Sequence, residues 1–394
     1  MKILVVNVGS SSHKLSLFDL KGEELADPLW KGSLDWGRGQ KSRFFSIQRQ
    51  KEEKITRSLE AKDLQEGLRC LIKSLWSGPT QVIEGLSEIE RIGHRVVHGG
   101  ALFQQPVRVN AEVKAHIRQL IPLAPLHNPA NLEGIELMEK FFPEAVQIAV
   151  FDTAFHTSMP DVVKTYPLPY SWKEKGVQRY GFHGISHQYC AERIASFLGR
   201  EASSLKIINC HLGNGASLCA ISKGKSQDTT MGLTPLEGLM MGSRCGSIDP
   251  GILLYAMREQ GMSPQELDHI LNFESGLKGI TGSSDMREIL AKNSERAQLA
   301  LQMYIYRLKA FIGAYMASLG GIDVLSFTGG VGENAAYIRS GACRGLSCFG
   351  IQIDEQKNLN CQPDQDISAE GASIRTLVIH TQEEWKIAQA CRLL

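Results

Sequence analysis

Several features that define common protein classes are missing from this chain of 394 residues. Its 43 lysines and arginines almost balance 42 aspartates and glutamates, so no bulk charge favours nucleic acid or an anionic membrane. The nine cysteines form an odd set without a CxxC pair, and no secretory leader pattern is present, which predicts a cytoplasmic protein with reduced thiols. The most apolar long segment, 310–327, is interrupted by Gly320, Gly321 and Asp323, so no membrane span is expected.

The motifs of several enzyme classes are missing too. A P-loop requires glycine where Cys219 stands, and the dinucleotide-binding fingerprint lacks its third glycine after Gly332. His94-Arg95-Val96 lacks the catalytic aspartate of protein kinases, and there is no GxSxG elbow. Two histidine pairs have i,i+4 spacing without the glutamate of HExxH, which favours structural or substrate-facing histidines over a zinc site: His94 with His98, and His183 with His187.

Glycine is present in excess, at 38 residues or about 10% against a typical usage near 7%. Residues 3–20 have the pattern of a strand, a polar glycine turn and a second strand, and residues 207–221 repeat it. An internal duplication would explain both hairpins, and chance similarity is the alternative. A third cluster, 324–334, runs from an apolar strand into a glycine loop. All three loops could present backbone N–H groups to phosphate.

Helical and strand patterns alternate along the chain, and its length predicts two or three domains. The clearest helix starts near Ala297 and continues through Met316 with three- and four-residue apolar spacing. The mixture predicts α/β layers. Residues 29–56 are polar and irregular and receive no assignment. No low-complexity linker is present, so we expect the domains to pack closely around a cleft.

Five distinctive strings carry basic or polar residues suited to chemistry on anions. They are RIGHRVVHGG with Arg95, APLHNPAN with His127, FDTAFH with Asp152, RYGFHGISH with His183, and MMGSRCGSIDP with Arg244. With NVGSSSHK at the start and a glutamate pair near the end, these strings resemble the acetokinase family of short-chain carboxylate kinases over essentially the whole chain.

The resemblance implies an α/β fold of two duplicated actin/hexokinase-like (ribonuclease H-like) domains with a nucleotide cleft between them. The first domain would comprise residues 1–151 plus about 383–394. The second would comprise 152–382 and carry the nucleotide loops and the interface of a homodimer. This fold agrees with the repeated hairpin.

The resemblance also implies reversible, direct in-line transfer of the ATP γ-phosphoryl group to acetate, giving acetyl phosphate and ADP, with Mg²⁺ or Mn²⁺. Because an anionic carboxylate must approach an anionic phosphate, such a site needs fixed positive charge and exclusion of water more than it needs a base. Two alternatives remain: a propionate kinase of the same family, and a non-catalytic actin-like nucleotide-binding protein.

Site residues follow from the resemblance by position. Arg95 and Arg244 would hold carboxylate or phosphoryl oxygens, because a guanidinium can donate two parallel hydrogen bonds. His183 would donate to the transferred phosphoryl group, and Asp152 would orient an arginine or the metal shell. His127 would lie close to the same cleft, either touching ligand or in a core role.

The remaining positions form three groups. The acyl pocket would be formed, beside Arg95, by Val97, Leu126, Phe182 and Pro235; a valine there favours acetate, although propionate could still react. Nucleotide contacts would come from Ser10, Ser12, Lys14, His211, Asn214, Gly215, Asp285, Met286, Arg287, Gly330, Gly332 and Asn334, with a core role as the alternative for His211 and a helix cap as the alternative for Asp285. The metal would be held by Asn7 and Glu383, with water completing the shell.

The chain departs from the usual family text in several places. Ser247 replaces a common aspartate close to Arg244, which predicts that Arg244 is held less tightly than in typical members. His13 replaces an apolar residue, and His380 replaces a common proline. None of these changes removes a proposed catalytic group.

Overall fold

The structure is a computed structural model that describes residues 1–9, 12–22, 25–35, 44–50, 52–59 and 61–394. It divides into two compact units. The first unit contains Met1–Ala154 and Gln382–Leu394, and the second contains Phe155–Thr381. In the part of the chain described, no helix is both long and apolar enough to cross a bilayer.

The described residues of the first unit form an eight-stranded mixed sheet in the order β5-β4-β3-β2-β1-β6-β8-β7. Its strands are β1 Lys2–Val8, β2 Ser12–Asp19, β3 Trp30–Asp35, β4 Phe44–Arg49, β5 Ile55–Ser58, β6 Ile89–Val96, β7 Val107–Arg108 and β8 Val146–Phe151. Its α-helices are α1 Leu64–Lys73, α2 Ala111–Gln119, α3 Asn128–Phe141 and, at the end of the chain, α15 Glu383–Arg392. A buried apolar cluster that includes Leu4, Leu17 and Leu71 lies between this sheet and its helices.

The second unit has a six-stranded sheet in the order β11-β10-β9-β12-β14-β13. Its strands are β9 Lys206–Leu212, β10 Ala216–Ser222, β11 Lys225–Thr229, β12 Val324–Thr328, β13 Gln365–Asp366 and β14 Arg375–Val378. Its α-helices are α4 Asp161–Lys164, α5 Tyr170–Glu174, α6 Gly184–Leu198, α7 Gly251–Glu259, α8 Pro264–His269, α9 Gly276–Thr281, α10 Met286–Ala291, α11 Glu295–Leu319, α12 Gly329–Asn334, α13 Ala336–Cys343 and α14 Glu355–Leu359.

Short helices of other types complete the fold. Five 3₁₀ turns lie at Leu86–Glu88, Ile121–Leu123, Ala154–Ser158, Ala202–Ser204 and Ser347–Phe349 in the described chain. A π-helical turn at Ile270–Glu274 connects α8 to α9. π-turns inside helical segments are uncommon and often occur at functional sites.

The two sheets share one topology. In each, three consecutive antiparallel strands are followed by two parallel ones, β3-β2-β1-β6-β8 in the first unit and β11-β10-β9-β12-β14 in the second. The predicted α/β class and internal duplication are therefore confirmed, because agreement now covers five strands instead of one hairpin. The strands β1 and β9 are almost fully buried, which explains their continuous apolar runs.

Residues 29–56, which the sequence left unassigned, contain β3, β4 and the start of β5. In β3 the buried positions alternate, but one of them is a glycine, so the apolar pattern is broken. A Cβ at Gly32 would lie 2.2 Å from the indole of Trp30, so the ring occupies the space of the missing side chain. The alternation is thus real but invisible to a count of apolar residues.

The predicted long helix is confirmed as α11. The Ser294 side chain accepts a hydrogen bond from the Ala297 amide at its start, and Gly320 ends it in the left-handed conformation. The glycine cluster after β12 differs from the expected loop, since Gly329–Asn334 forms the short helix α12. Gly329 has φ +78°, and a Cβ there would lie 2.9 Å from the Leu212 carbonyl oxygen, so only glycine fits this approach to β9.

Candidate active site

Adjacent strands of the first unit place three predicted site residues side by side. Arg95 lies near the end of β6, Asp152 directly follows β8, and Asn7 lies near the end of β1. β1, β6 and β8 are parallel neighbours, so their carboxyl ends meet at one edge of the sheet. This edge is where α/β proteins commonly place their ligand sites.

Arg95 is held by two of these neighbours. Its Nε donates to both Asp152 oxygens at 3.1 Å, and its Nη2 donates to Oδ2 at 2.6 Å. Nη1 donates to Asn7 Oδ1 at 3.2 Å. The Asp152 side chain is 1% exposed and that of Arg95 20% exposed. Burial alone would lower the pKa of Arg95, but the carboxylates of Asp152 and Glu383 outweigh it and raise the pKa, so the guanidinium stays charged.

Glu383 begins α15, and its carboxylate lies close enough to Arg95 to raise the pKa of the guanidinium. Its Oε1 atom is buried, and no described residue forms a hydrogen bond with it. A buried carboxylate oxygen without a donor is costly unless a cation or water satisfies it. Asn7 and Glu383 therefore fit a metal shell. In the described chain no group of three or more His, Cys, Asp or Glu side chains could hold a metal ion. The predicted site needs no such group, because Mg²⁺ usually keeps several waters and binds few protein ligands.

Val97 lies two residues after Arg95 and is buried. Its amide donates to Asn131 Oδ1 at 3.0 Å, and the Asn131 amide donates to the Val8 carbonyl at 2.9 Å, so α3 ties this segment to β1. Sequence reasoning missed Asn131, although it stands in the string that contains His127. Leu126 is half-buried in the first unit, while Phe182 and Pro235 lie in the second unit.

In the second unit His183 caps the start of α6 in the left-handed conformation, with φ 57° and ψ 23°. This conformation is uncommon for a residue other than glycine and is often found at functional sites. His183 Nδ1 is 2.9 Å from Ser217 Oγ, and its ring stacks on that of His211 at 4.3 Å between centroids. His211 Nδ1 is 2.8 Å from Ser186 Oγ. The imidazole of His183 is thus fixed in place by α6, β9 and β10.

The turn between β9 and β10 brings His183 and Arg244 to one point. A Cβ at Gly215 would lie 3.4 Å from His183 Nε2 and 3.6 Å from Arg244 Nη1. Nη1 of Arg244 also donates to the Pro235 carbonyl at 3.1 Å. An imidazole and a guanidinium so placed could both donate to the oxygens of one phosphoryl group.

Ser247 joins the Arg244 segment to a preceding turn. Its hydroxyl accepts from the Gly238 amide at 3.1 Å, and its own amide donates to the Gly238 carbonyl at 2.9 Å. The serine therefore makes backbone contacts at the position where the family resemblance predicts an aspartate. That Arg244 is less tightly oriented as a result stays a prediction.

The turn that carries Arg244 lies in a cradle formed by the π-turn and α9. The Cys245 amide donates to the Leu271 carbonyl, and the Met241 and Gly242 carbonyls accept from the first turn of α9. Gly276 permits this contact: it has φ +62°, and a Cβ there would lie 2.2 Å from Met241 O and 2.5 Å from Arg244 O. The π-turn is thus part of the structure that places Arg244.

Replacing Gly276 with alanine should therefore displace Arg244. We expect kcat to fall at least tenfold and the melting temperature to fall, because a methyl group cannot fit against two backbone carbonyls. Gly261→Ala is the matched control, since Gly261 has φ +65° but a Cβ there meets nothing within 4 Å. Steady-state kinetics and thermal melting of both variants check this. Equal kcat in the two variants would show that the cradle does not position Arg244.

The predicted nucleotide residues of the second unit lie on three segments: the β9–β10 hairpin, the start of α10, and α12. The β9–β10 hairpin and the start of α10 approach each other at Gly242. A Cβ there would lie 2.0 Å from Asn214 Oδ1 and 3.2 Å from the Ser284 carbonyl oxygen. Asp285 caps α10 by accepting a hydrogen bond from the Arg287 amide at 2.9 Å, which is the alternative role given for it above. The Arg287 side chain lowers the pKa of Asp285 to about 2.

The end of α12 is fixed by the buried Arg339, which donates to the Gly332 and Glu333 carbonyls.

The remaining predicted positions lie on these segments or in the first unit. Met286 is buried in α10, while Gly330 and Asn334 are exposed on α12, where Asn334 Nδ2 donates to the Gly330 carbonyl at 2.9 Å. Lys14 is exposed on β2, opposite Asn7 in the β1–β2 register. Ser10 and the side chain of Ser12 lie outside the described residues.

Comparison with known proteins defines the class first. Residues 2–389 match the Acetokinase family, so the chain belongs to that family. It is 57% identical over 390 residues to an acetate kinase of Protochlamydia amoebophila, covering 99% of this chain and 98% of the relative. It is 52% identical over 399 residues to an acetate kinase of Gloeothece citriformis, with the same coverage.

Solved structures agree with this assignment. The crystal structure of Porphyromonas gingivalis acetate kinase superposes with a TM-score of 0.92 at 40% identity, covering 100% of this chain and 99% of that one. A propionate kinase from Francisella tularensis gives the same four values. The fold is therefore that of the acetokinase family throughout.

Proposed function

We propose that this protein is a cytoplasmic acetate kinase, which transfers the ATP γ-phosphoryl group reversibly to acetate and forms acetyl phosphate and ADP. The observation that carries the proposal is Arg95, a half-buried and permanently charged guanidinium that Asp152 and Asn7 hold in place within a family string. The relatives at 57% and 52% identity, both named acetate kinase, support the same activity.

The reaction requires two anions to meet. Acetate is deprotonated at neutral pH, so its carboxylate can attack without a general base. Repulsion between this carboxylate and the triphosphate must be offset by fixed positive groups whose geometry is set beforehand. In this proposal Arg95 binds the carboxylate. Asp152 keeps the guanidinium in one orientation, so little reorganisation is needed when acetate binds.

Donors for the transferred group would come from Arg244 and His183. Arg244 Nη1 and His183 Nε2 both lie near Gly215, where phosphoryl oxygens would accept from them. These donors act most strongly when charge spreads over the equatorial oxygens in the transition state. Nucleotide phosphates and the nucleoside would contact the β9–β10 hairpin with Asn214, the start of α10, and α12.

Asn7 and Glu383 would hold Mg²⁺, with Mn²⁺ as a substitute, through Asn7 Oδ1 and the unpartnered Glu383 Oε1. When bound, the ion neutralises phosphate charge. Asn7 Oδ1 also accepts a hydrogen bond from Arg95 Nη1. This bond sets the distance between the proposed metal-ligand oxygen and the guanidinium that would bind acetate.

A coupled assay tests the proposed activity. Purified protein with ATP and Mg²⁺ should form ADP only when acetate is added, and it should form ATP from ADP and acetyl phosphate. ADP formation that does not depend on acetate or another short-chain acid would contradict the proposal and favour a nucleotide-binding protein without this transfer reaction.

Propionate kinase is the second candidate, because a solved structure of that name matches as well as the acetate kinase structure does. Val97 is buried two residues after Arg95, and in the proposed pocket it would limit the length of the acyl group. We expect Val97→Ala to raise the kcat/KM ratio of propionate to acetate by about 10-fold or more, since one methylene is worth about 1–3 kcal/mol. Kinetics across acetate, propionate and butyrate measure this, with Val113→Ala, a buried valine of α2, as the control. An unchanged ratio would remove Val97 from the acyl pocket.

We also propose a homodimer formed through the second unit. One helix, α7, exposes four large apolar side chains, which monomers seldom leave uncovered, namely Ile252, Leu254, Tyr255 and Met257. Light scattering should give twice the chain mass of 43.5 kDa. A monomer mass would contradict this part of the proposal.

A further inference from the structure

A chain of buried hydrogen bonds runs from the interior of the second unit to His183. It connects Ser326 to Asn209, Asn209 to His187, His187 to Ser217, and Ser217 to His183. Ser326, Asn209, His187 and Ser217 each have 0% exposure. Water is therefore not competing for these bonds, and each group must satisfy the next.

The direction of each bond follows from the chemistry of the groups. Asn209 Oδ1 accepts from Ser326 Oγ at 2.7 Å, which places the NH₂ group of Asn209 toward His187. At 2.9 Å, Asn209 Nδ2 donates to His187 Nδ1, because an amide nitrogen has no lone pair to offer. His187 Nδ1 is thus an acceptor and carries no proton.

His187 must then carry its proton on the other nitrogen. Burial lowers the pKa of His187 well below its ordinary value, and the nearby rings of His156 and His211 act in the same direction, so the imidazole is neutral. Its single N–H is on Nε2, which donates to Ser217 Oγ at 2.8 Å. Ser217 Oγ accepts this bond. In the described chain His183 Nδ1, at 2.9 Å, is the remaining hydrogen-bond partner of the fully buried Ser217 hydroxyl, so the hydroxyl donates its proton to that nitrogen.

We infer that Asn209, His187 and Ser217 are positioning residues that set the tautomer of His183, keeping Nδ1 as an acceptor and the proton on Nε2. This is the nitrogen close to Arg244 Nη1 at Gly215. With its proton on Nε2, His183 can donate to a phosphoryl oxygen from that nitrogen. The role in turnover rests on the proposed function, whereas the tautomer itself does not.

The neighbouring His156 shows that burial of a histidine alone does not produce this arrangement. His156 is also buried and its ring contacts His187 at 5.7 Å, but it bonds Ser226 Oγ at 2.8 Å and the Phe182 carbonyl at 3.0 Å. The bonds of His156 do not lead to His183 Nδ1. Ser226 is fully buried like Ser217, so the two serines form a matched pair that differs in connection to His183.

The test is long-range ¹H–¹⁵N NMR of the full chain labelled with [¹⁵N]histidine, with His183 assigned from the signal lost in His183→Gln. In the unmodified protein His183 should carry its proton on Nε2. Ser217→Ala should give a mixture of tautomers, whereas Ser226→Ala should leave the His183 signals unchanged. A proton on Nδ1 in the unmodified protein, or no change in Ser217→Ala, would overturn the inference.

Kinetics give the second readout. Removal of a partner that orients a functional histidine typically costs about 10- to 100-fold, so Ser217→Ala should lower kcat by that factor with KM for acetate and ATP nearly unchanged. His187→Gln keeps an N–H that can reach Ser217, so it should retain the Nε2 tautomer and a higher kcat than Ser217→Ala. If Ser217→Ala does not fold, His187→Leu replaces it, because it removes the N–H that Ser217 accepts and leaves Ser217 able to accept from His183 instead. A mixture of His183 tautomers in His187→Leu would support the role, and an unchanged Nε2 proton would refute it.

The two proposals can fail separately. If the unmodified protein forms no ADP with acetate, the proposed function is wrong. The NMR experiment still tests the His183 tautomer, because that measurement does not depend on activity. If the kinase is active and His183 has the same tautomer in Ser217→Ala, the positioning role fails and the function is unaffected.

Discussion

Arg95→Ala should lower kcat for acetate-dependent ADP formation by about 10³-fold. Loss of one fixed donor to a developing charge costs about 2.7–4 kcal/mol of transition-state stabilisation, and Arg95 also offsets the repulsion between acetate and ATP. The same change removes the cation from Asp152, which is 1% exposed. A buried charge left unpaired costs about 3–5 kcal/mol of folding free energy, so thermal melting must accompany the kinetics.

Two further variants make this result interpretable. Arg95→Lys keeps a positive charge for Asp152 but cannot donate in the bidentate geometry, so it should melt near the unmodified protein and still lose about 10²-fold in kcat. Arg118→Ala is the control, because Arg118 forms an exposed pair with Glu136 in the same unit and should change neither property. Near-normal kcat in Arg95→Lys would mean that charge alone suffices.

Arg244→Ala should lower kcat by about 10²- to 10³-fold while the protein stays folded. Arg244 is half-buried, and its Nη1 donates to the Pro235 carbonyl, so truncation removes a hydrogen bond to a backbone oxygen. We expect the loss mainly in kcat and less in KM, because the guanidinium would act on charge that grows in the transition state. Arg200→Ala, which breaks an exposed pair with Asp323, is the control. A kcat within threefold of the unmodified protein would remove Arg244 from the reaction.

The sequence predicted the α/β class from local signals, while the repeated hairpin only suggested the duplication, which the family resemblance then implied. A hairpin with an apolar strand, a glycine turn and a second strand can be identified within about twenty residues, as in 3–20 and 207–221. Long helices such as α11 show their spacing in the same way. Where a buried position is occupied by glycine, as at Gly32 in β3, the local pattern disappears although the strand is regular.

The same distinction between local and long-range information applies to the candidate site. Arg95, Asp152, His183 and Arg244 were predicted as separate positions, since each stands in a distinctive string. Their orientation could not be predicted, because it depends on groups brought together by the sheet register. Asn209 and Ser217 lie on β9 and β10 among apolar neighbours and give no motif of their own. The one part of this network visible in the sequence was the i,i+4 pair of His183 and His187.

In the proposed mechanism, guanidinium groups and an imidazole are already held in place before acetate and ATP bind. A crystal structure with Mg²⁺, ADP, acetate and a planar phosphoryl mimic tests it most directly. The account predicts Arg95 on the acetate carboxylate, with Arg244 and His183 Nε2 within hydrogen-bond distance, about 3 Å, of the mimic's oxygens. If acetate binds away from Arg95, or if other groups donate to those oxygens, the claim is wrong.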